Sequence, residues 1–139
     1  MTAPLHVHGR CHCGAVGYEA DVDAQTVVIC HCADCQAFAG GPYRAMVRPL
    51  PGTLAMHGAP THYVKTADSG RQRVQAFCGT CGTHLYACDP GVAQANLSLR
   101  IGAIAERHQL ATPARQMWCE SALAWAFDLA PVPRVDTQP

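Results

Sequence analysis

Apolar and polar side chains alternate at a spacing of two along most of this chain, which predicts short strands rather than helices. Residues Leu5–Arg10 and 15–20 alternate around Val7, Val16 and Tyr18 and read as two strands, with Gly14 permitting a tight turn between them. Thr26-Val27-Val28-Ile29 is a β-branched run suited to a third strand. Residues 43–48, Thr61–Thr66, 73–77, 83–88 and 94–99 continue the pattern, with Pro49-Leu50-Pro51-Gly52 and Asp68-Ser69-Gly70 as turns. Gln116-Met117-Trp118-Cys119 adds a last strand. Helical spacing is confined to one turn at Ala33–Ala39, broken by Gly40-Gly41-Pro42, and a short helix at 102–108. The pattern predicts a mainly β single domain over residues 5–130. A loosely ordered tail follows at 131–139, with three prolines and no apolar pattern.

Composition adds limits. A chain of 139 residues suits one core that a metal staple would reinforce. Only 14% of residues are charged and ten basic side chains offset ten acidic ones, so no field attracts nucleic acid or an anionic membrane. The first residues lack the basic start and apolar run of an export signal, and no stretch approaches the roughly 20 apolar residues of a membrane span, so a cytoplasmic location is expected. Seven of the nine cysteines crowd into three clusters of C-x-C and C-x-x-C spacing. In a chain without an export signal, this favours metal thiolates over disulfides.

The clusters are Cys11-His12-Cys13-Gly14, Cys30-His31-Cys32-Ala33-Asp34-Cys35 and Phe77-Cys78-Gly79-Thr80-Cys81-Gly82. Cys78 and Cys81 flank a tight turn whose N–H groups can point at sulfur, and Cys11 and Cys13 alternate on a strand so that both sulfurs face one side. Together they would complete a closed four-thiolate structural zinc site on Cys11, Cys13, Cys78 and Cys81. Cys30, Cys32 and Cys35 would hold a second zinc with one position left over, giving two zinc ions per chain. Three thiolates give that complex a net charge of about −1, which suits it to hold another soft thiolate rather than to activate water. A small thiol held deprotonated there could attack an electrophilic carbon. Alternatively Cys88, His84 or Cys119 closes the second site. Cys88 and Cys119 otherwise read as small buried core residues, and Trp118 and Trp125 as core aromatics. His12 and His31 read as solvated loop residues or as aids to proton transfer. His6 and His8 alternate on the first strand and could bind metal incidentally, but are given no role. The hydrolase H-E-x-x-H, the deaminase H-x-E and a glycine-rich phosphate loop are all absent.

The three clusters, in this order and spacing, resemble the glutathione-dependent formaldehyde-activating enzyme family, whose domain is shared with centromere-protein-V-type proteins. The likeness runs over residues 9–125. It includes Gly9-Arg10-Cys11-His12-Cys13-Gly14-Ala15-Val16, the Cys-His-Cys-x-x-Cys of the middle cluster, Phe77-Cys78-Gly79-Thr80-Cys81-Gly82-Thr83, Leu99-Arg100-Ile101-Gly102 and a Trp-bearing close. The resemblance implies a β-tent fold and the same division of seven cysteines between a structural and a second zinc. It also implies condensation of glutathione with formaldehyde, a carbon–sulfur lyase activity, with a small thiol and an aldehyde as partners. Members commonly carry a basic residue after the third cysteine of the middle cluster, where this chain has Gln36-Ala37. Arg44, Arg48, Lys65, Arg71 and Arg73 are the cations that could replace it. Two other classes remain: a non-catalytic zinc module for protein interaction, and an electron carrier with iron in the four-thiolate site.

Overall fold

The computed structural model describes residues 3–91 and 95–138. Two antiparallel strands, β1 (Leu5–Arg10) and β2 (Gly17–Val22), pair in full register and are joined at the side of β2 by β5 (Ala55–His57). The larger sheet has the order β10-β3-β4-β9-β8-β7-β6. Its strands are β3 (Val28–Cys30), β4 (Arg44–Val47), β6 (Thr61–Thr66), β7 (Gln72–Phe77), β8 (His84–Cys88), β9 (Ser98–Arg100) and β10 (Arg115–Met117). All its pairings are antiparallel except β10 on β3, which is parallel.

One core cluster joins the two sheets. The inward positions of β1 and β2, including Val7, Tyr18, Ala20 and Val22, meet Val47, Leu85, Leu99 and Ile104. Burying each large apolar side chain there stabilises the fold by about 1.5–3 kcal/mol. Central strands β8 and β9 are buried on both faces, so their sequence loses alternation, while edge strand β6 is exposed at nearly every position. A second, smaller cluster of Cys30, Cys35 and Met46 lies where β3, β4 and β10 meet the only α-helix among the described residues, α1 (Ala33–Ala39). The α1 helix begins with the Cys32 thiol accepting the Cys35 N–H and ends at Gly40 in the left-handed region.

Several expectations are corrected. The second strand begins at Gly17 rather than residue 15, because Cys11 N–H donates to the Val16 carbonyl and the intervening residues form a loop. No helix forms over 102–108; there are only 3₁₀ turns at Ile101–Ala103 and Arg107–Gln109. Between them Ile104 bridges Gly9 and the Ala105 N–H donates to the His8 carbonyl, so bonds to β1 replace the helical ladder. The strand expected over 94–99 is Ser98–Arg100, and its predicted start at Gln94 lies outside the described residues. The last strand is three residues long, and Cys119 is exposed in a 3₁₀ turn. Strand β5 had no clear sequence signal.

Candidate metal centres

The loop after β1 and the β7–β8 turn are laid against each other by backbone bonds. Cys78 N–H donates to the Thr83 carbonyl and Gly82 N–H to the Cys78 carbonyl, a turn that requires the positive φ of Gly82. Across the gap, His12 N–H donates to the Thr83 hydroxyl at 3.0 Å. The result gathers Sγ of Cys11, Cys13, Cys78 and Cys81 within 4.8 Å of one another, a set that could hold a metal ion. Cys13 Sγ is 3.7 Å from both Cys11 and Cys78. Backbone N–H groups of Val16 and Cys81 point at Cys11 and Cys78, at 3.3 and 3.5 Å, as they do at thiolates. The Thr83 hydroxyl draws Cys81 down to about 5. Cys13, although the Ala15 N–H favours its thiolate, is pushed up to about 11 by the neighbouring Cys78. Four sulfurs this close cannot all ionise without a cation among them. The donor set therefore fits a thiophilic metal.

Cys30, Cys32 and Cys35 form the second such group, also within 4.8 Å. Cys30 closes β3, Cys32 caps α1 and Cys35 sits in its first turn, with its N–H donating to Cys32 Sγ at 3.3 Å. No fourth His, Cys, Asp or Glu joins them among the described residues. Cys88 belongs to the main core, His84 stacks on Phe77 at 5.6 Å, and Cys119 is exposed. Hydrogen bonding with Cys30 and the charge of Arg44 hold Cys35 at about 5 against the opposing effect of burial, while Cys30 is pushed up.

This group opens into a cavity of about 250 Å³ that is also lined by Arg44, Lys65, Arg71, Arg73 and Arg100. A larger cleft of about 680 Å³ shares Met46, Arg71, Arg73, Ser98 and Met117 with it. Lys65 is paired with Asp34 at 2.6 Å, and Asp89 takes both Arg71 and Arg73 at 3.2 and 2.9 Å. Arg44 and Arg100 have no carboxylate partner among the described residues. Arg44 donates to Gln75 Oε1 at 2.8 Å and lies over the Phe38 ring, whereas Arg100 reaches the Met46 sulfur alone among the described residues. Both are buried, and the Nε of each lacks a hydrogen-bond partner. Burial and the charge of Arg44 lower Arg100 to about 9, only partly offset by Cys35 and Cys30.

Of the five cations named from sequence, Arg44, Lys65, Arg71 and Arg73 line the cysteine cavity, while Arg48 lines the adjoining cleft. Arg100 was missed as a charge, although its motif was noted. His31 is fully buried rather than solvated, between Tyr43 and Phe127, with Nε2 2.7 Å from Gln116 Oε1. His12 is exposed as expected. Gln36, where a basic residue is usual, donates to the carbonyls of His31 and Ser121 and ties the cluster to the chain after β10. Trp118 and Trp125 are exposed, at 59% and 55%, and not core residues. Trp118 lines the cysteine cavity in a left-handed conformation at φ 58°.

The sequence profile of a family described as glutathione-dependent formaldehyde-activating enzyme matches residues 6–121. No match is found among curated proteins. The fold is similar to that of a solved Rhodobacter sphaeroides protein, a structural-genomics target, with TM-score 0.59 and 17% identity over 79% of this chain and 99% of that one.

Proposed function

The chain belongs to the glutathione-dependent formaldehyde-activating enzyme family, and from that premise we propose that it adds a small anionic thiol of the glutathione class to formaldehyde or a similar aldehyde. The S–H bond of the thiol and the C=O π bond give a new C–S bond and a hydroxyl, the thiol proton ending on the former carbonyl oxygen. The reverse reaction is a carbon–sulfur lyase step. One observation carries this reading: a three-cysteine cluster opens into a cavity whose two buried guanidiniums lack a carboxylate partner.

Cys11, Cys13, Cys78 and Cys81 suit a structural zinc, and Cys30, Cys32 and Cys35 a second one. Zinc on the second set would supply a soft Lewis-acid position at which a thiol is held deprotonated near neutral pH. Arg44 and Arg100 bind the carboxylates of the thiol and orient it. Arg44 also favours negative charge at sulfur, as it does at Cys35. The adjoining cleft accommodates the rest of a tripeptide-sized molecule. Gln36 and Gln75 fix the cluster backbone and the Arg44 head.

The test is exchange of ¹³C-formaldehyde with its glutathione adduct, followed by magnetization transfer. Acceleration over the unaided rate, lost in a folded Cys30→Ser protein, is expected. Equal exchange with and without the protein sinks the enzymatic reading. It would favour a non-catalytic zinc module, whose supporting observation is the exposed apolar run of Trp118, Leu123, Trp125, Phe127 and Leu129.

A further inference from the structure

Strand β1 turns Val7 and Gly9 inward, so its period of two puts His6 and His8 on the outer face. Register then places Asp21 of β2 opposite His6, and Glu19 opposite His8. The 3₁₀ segment docked on β1 by the Ala105 to His8 bond adds Glu106, and β5 adds His57. These six residues play no part in either cysteine cluster.

Their hydrogen bonds fix the histidine tautomers. His6 Nδ1 lies 2.7 Å from Asp21 Oδ1, and His8 Nδ1 lies 2.8 Å from Glu106 Oε2. A carboxylate only accepts, so each Nδ1 carries the hydrogen and each neutral ring has a bare lone pair at Nε2. Both Nε2 atoms nevertheless face the same oxygen, Glu19 Oε1, at 3.2 Å each. Acceptors aimed at an acceptor repel unless positive charge stands among them. The rings are nearly perpendicular, 87° apart, with centroids 5.0 Å apart. A proton on one ring serves only one of these two contacts, and protons on both would set two like charges side by side, whereas a single divalent ion satisfies all three atoms. Ligands of a tetrahedral ion with bonds of 2.0–2.1 Å lie about 3.3 Å apart, close to the 3.2 Å of each Nε2 from Glu19 Oε1. Imidazoles whose second nitrogen donates to a carboxylate are the usual form of metal-bound histidine.

We propose that His6, His8 and Glu19 form a third metal site, taking one divalent transition ion such as zinc or nickel at the surface. Its nitrogen and oxygen donors differ from the thiolates of the other two, and follow the preference of imidazole for zinc, copper and nickel. His57 Nε2, 3.7 Å from Glu19 Oε2, is placed to add a donor or hold that oxygen. Both histidine side chains are about half exposed, at 54%, so the ion exchanges with solvent and is bound only while free metal is present. An ion here ties β1 to β2 and, through Glu106, to the 3₁₀ segment. The proposal stands independently of the thiol reaction.

The experiment titrates Ni²⁺ into the full-length, zinc-loaded protein at pH 7.5 by calorimetry, with histidine-ring NMR recorded in parallel. One equivalent is expected to bind and to broaden the ring signals of His6 and His8, leaving those of buried His31 and half-buried His84 intact. His8→Gln and Glu19→Gln should each weaken binding at least tenfold. No uptake would mean that protons alone hold the cluster, and would overturn the proposal. So would unchanged uptake in both variants, or broadening confined to other rings. The ring spectra of the unaltered protein decide the matter even if a variant fails to fold.

Discussion

Replacing Arg100 by methionine should move stability and ligand affinity in opposite directions. Arg100 is 7% exposed and, among the described residues, has an Nε without a partner and donates only to the Met46 sulfur at 3.6 Å. Its charge is opposed by burial and by Arg44 and only partly offset by Cys35 and Cys30. Exchanging an under-compensated buried ion for an apolar side chain of similar length stabilises a fold by about 1–4 kcal/mol. The same exchange removes a charge-assisted hydrogen bond to the thiol's carboxylate, worth about 1.5–3 kcal/mol, or roughly 10- to 150-fold in affinity. Denaturant unfolding of the zinc-loaded protein measures the first effect. Calorimetry with glutathione and with 2-mercaptoethanol, which has no carboxylate, measures the second. Higher stability, weaker glutathione binding and unchanged mercaptoethanol binding are expected. A less stable variant, or equal weakening of both thiols, would refute the assignment of Arg100 as an anion-binding cation.

The two cysteine clusters should respond differently to mutation. Cys78→Ser removes one ligand of a site worth on the order of 10 kcal/mol to folding, so circular dichroism should show an unfolded chain, while Cys30→Ser stays folded. Gly9→Ala drives a methyl group into the Tyr18 ring, which lies directly over Gly9, and should cost about 1–3 kcal/mol by denaturant midpoint. Alkali should unfold the protein through Tyr18. Burial raises its pKa above the usual 10, so above that pH the unfolded chain loses the phenolic proton first and stability falls with rising pH. Tyr18→Phe should flatten that part of the profile at little cost below pH 10, because the hydroxyl has no hydrogen-bond partner among the described residues. Identical alkaline slopes for the two proteins would contradict the prediction.

The local parts of this structure were readable from the chain. Cysteine spacing named both clusters, and β1, β6 and α1 lie where alternation and the Gly40-Gly41-Pro42 break put them. What escaped were features made by distant contacts. Residues 102–108 have helical spacing, yet β1 claims their backbone bonds. The last strand lies near its expected place, but its bounds, Arg115–Met117, are set by parallel pairing with β3 nearly ninety positions earlier (Arg115 opposite Val28), which no local pattern encodes. Arg100 stands in the sequence only as part of the Leu99-Arg100-Ile101-Gly102 motif, and it is the closure of β4, β9 and β8 around it that buries its charge. His31 is hidden by Tyr43 and Phe127, both remote from it in function as read from sequence. Large aromatics usually lie in the core, but the chain after β10 runs over the surface as 3₁₀ turns and leaves Trp118 and Trp125 exposed.

The division of seven cysteines into four and three is tested most directly by zinc content. Elemental analysis would be made on the His8→Gln protein, so that the surface cluster adds nothing, with protein quantified by amino-acid analysis. Two zinc ions per chain are expected, falling to one in a folded Cys30→Ser/Cys35→Ser variant. A single zinc per chain with all seven cysteines in place, unchanged by that double substitution, would contradict the second metal centre and the thiol chemistry proposed for it.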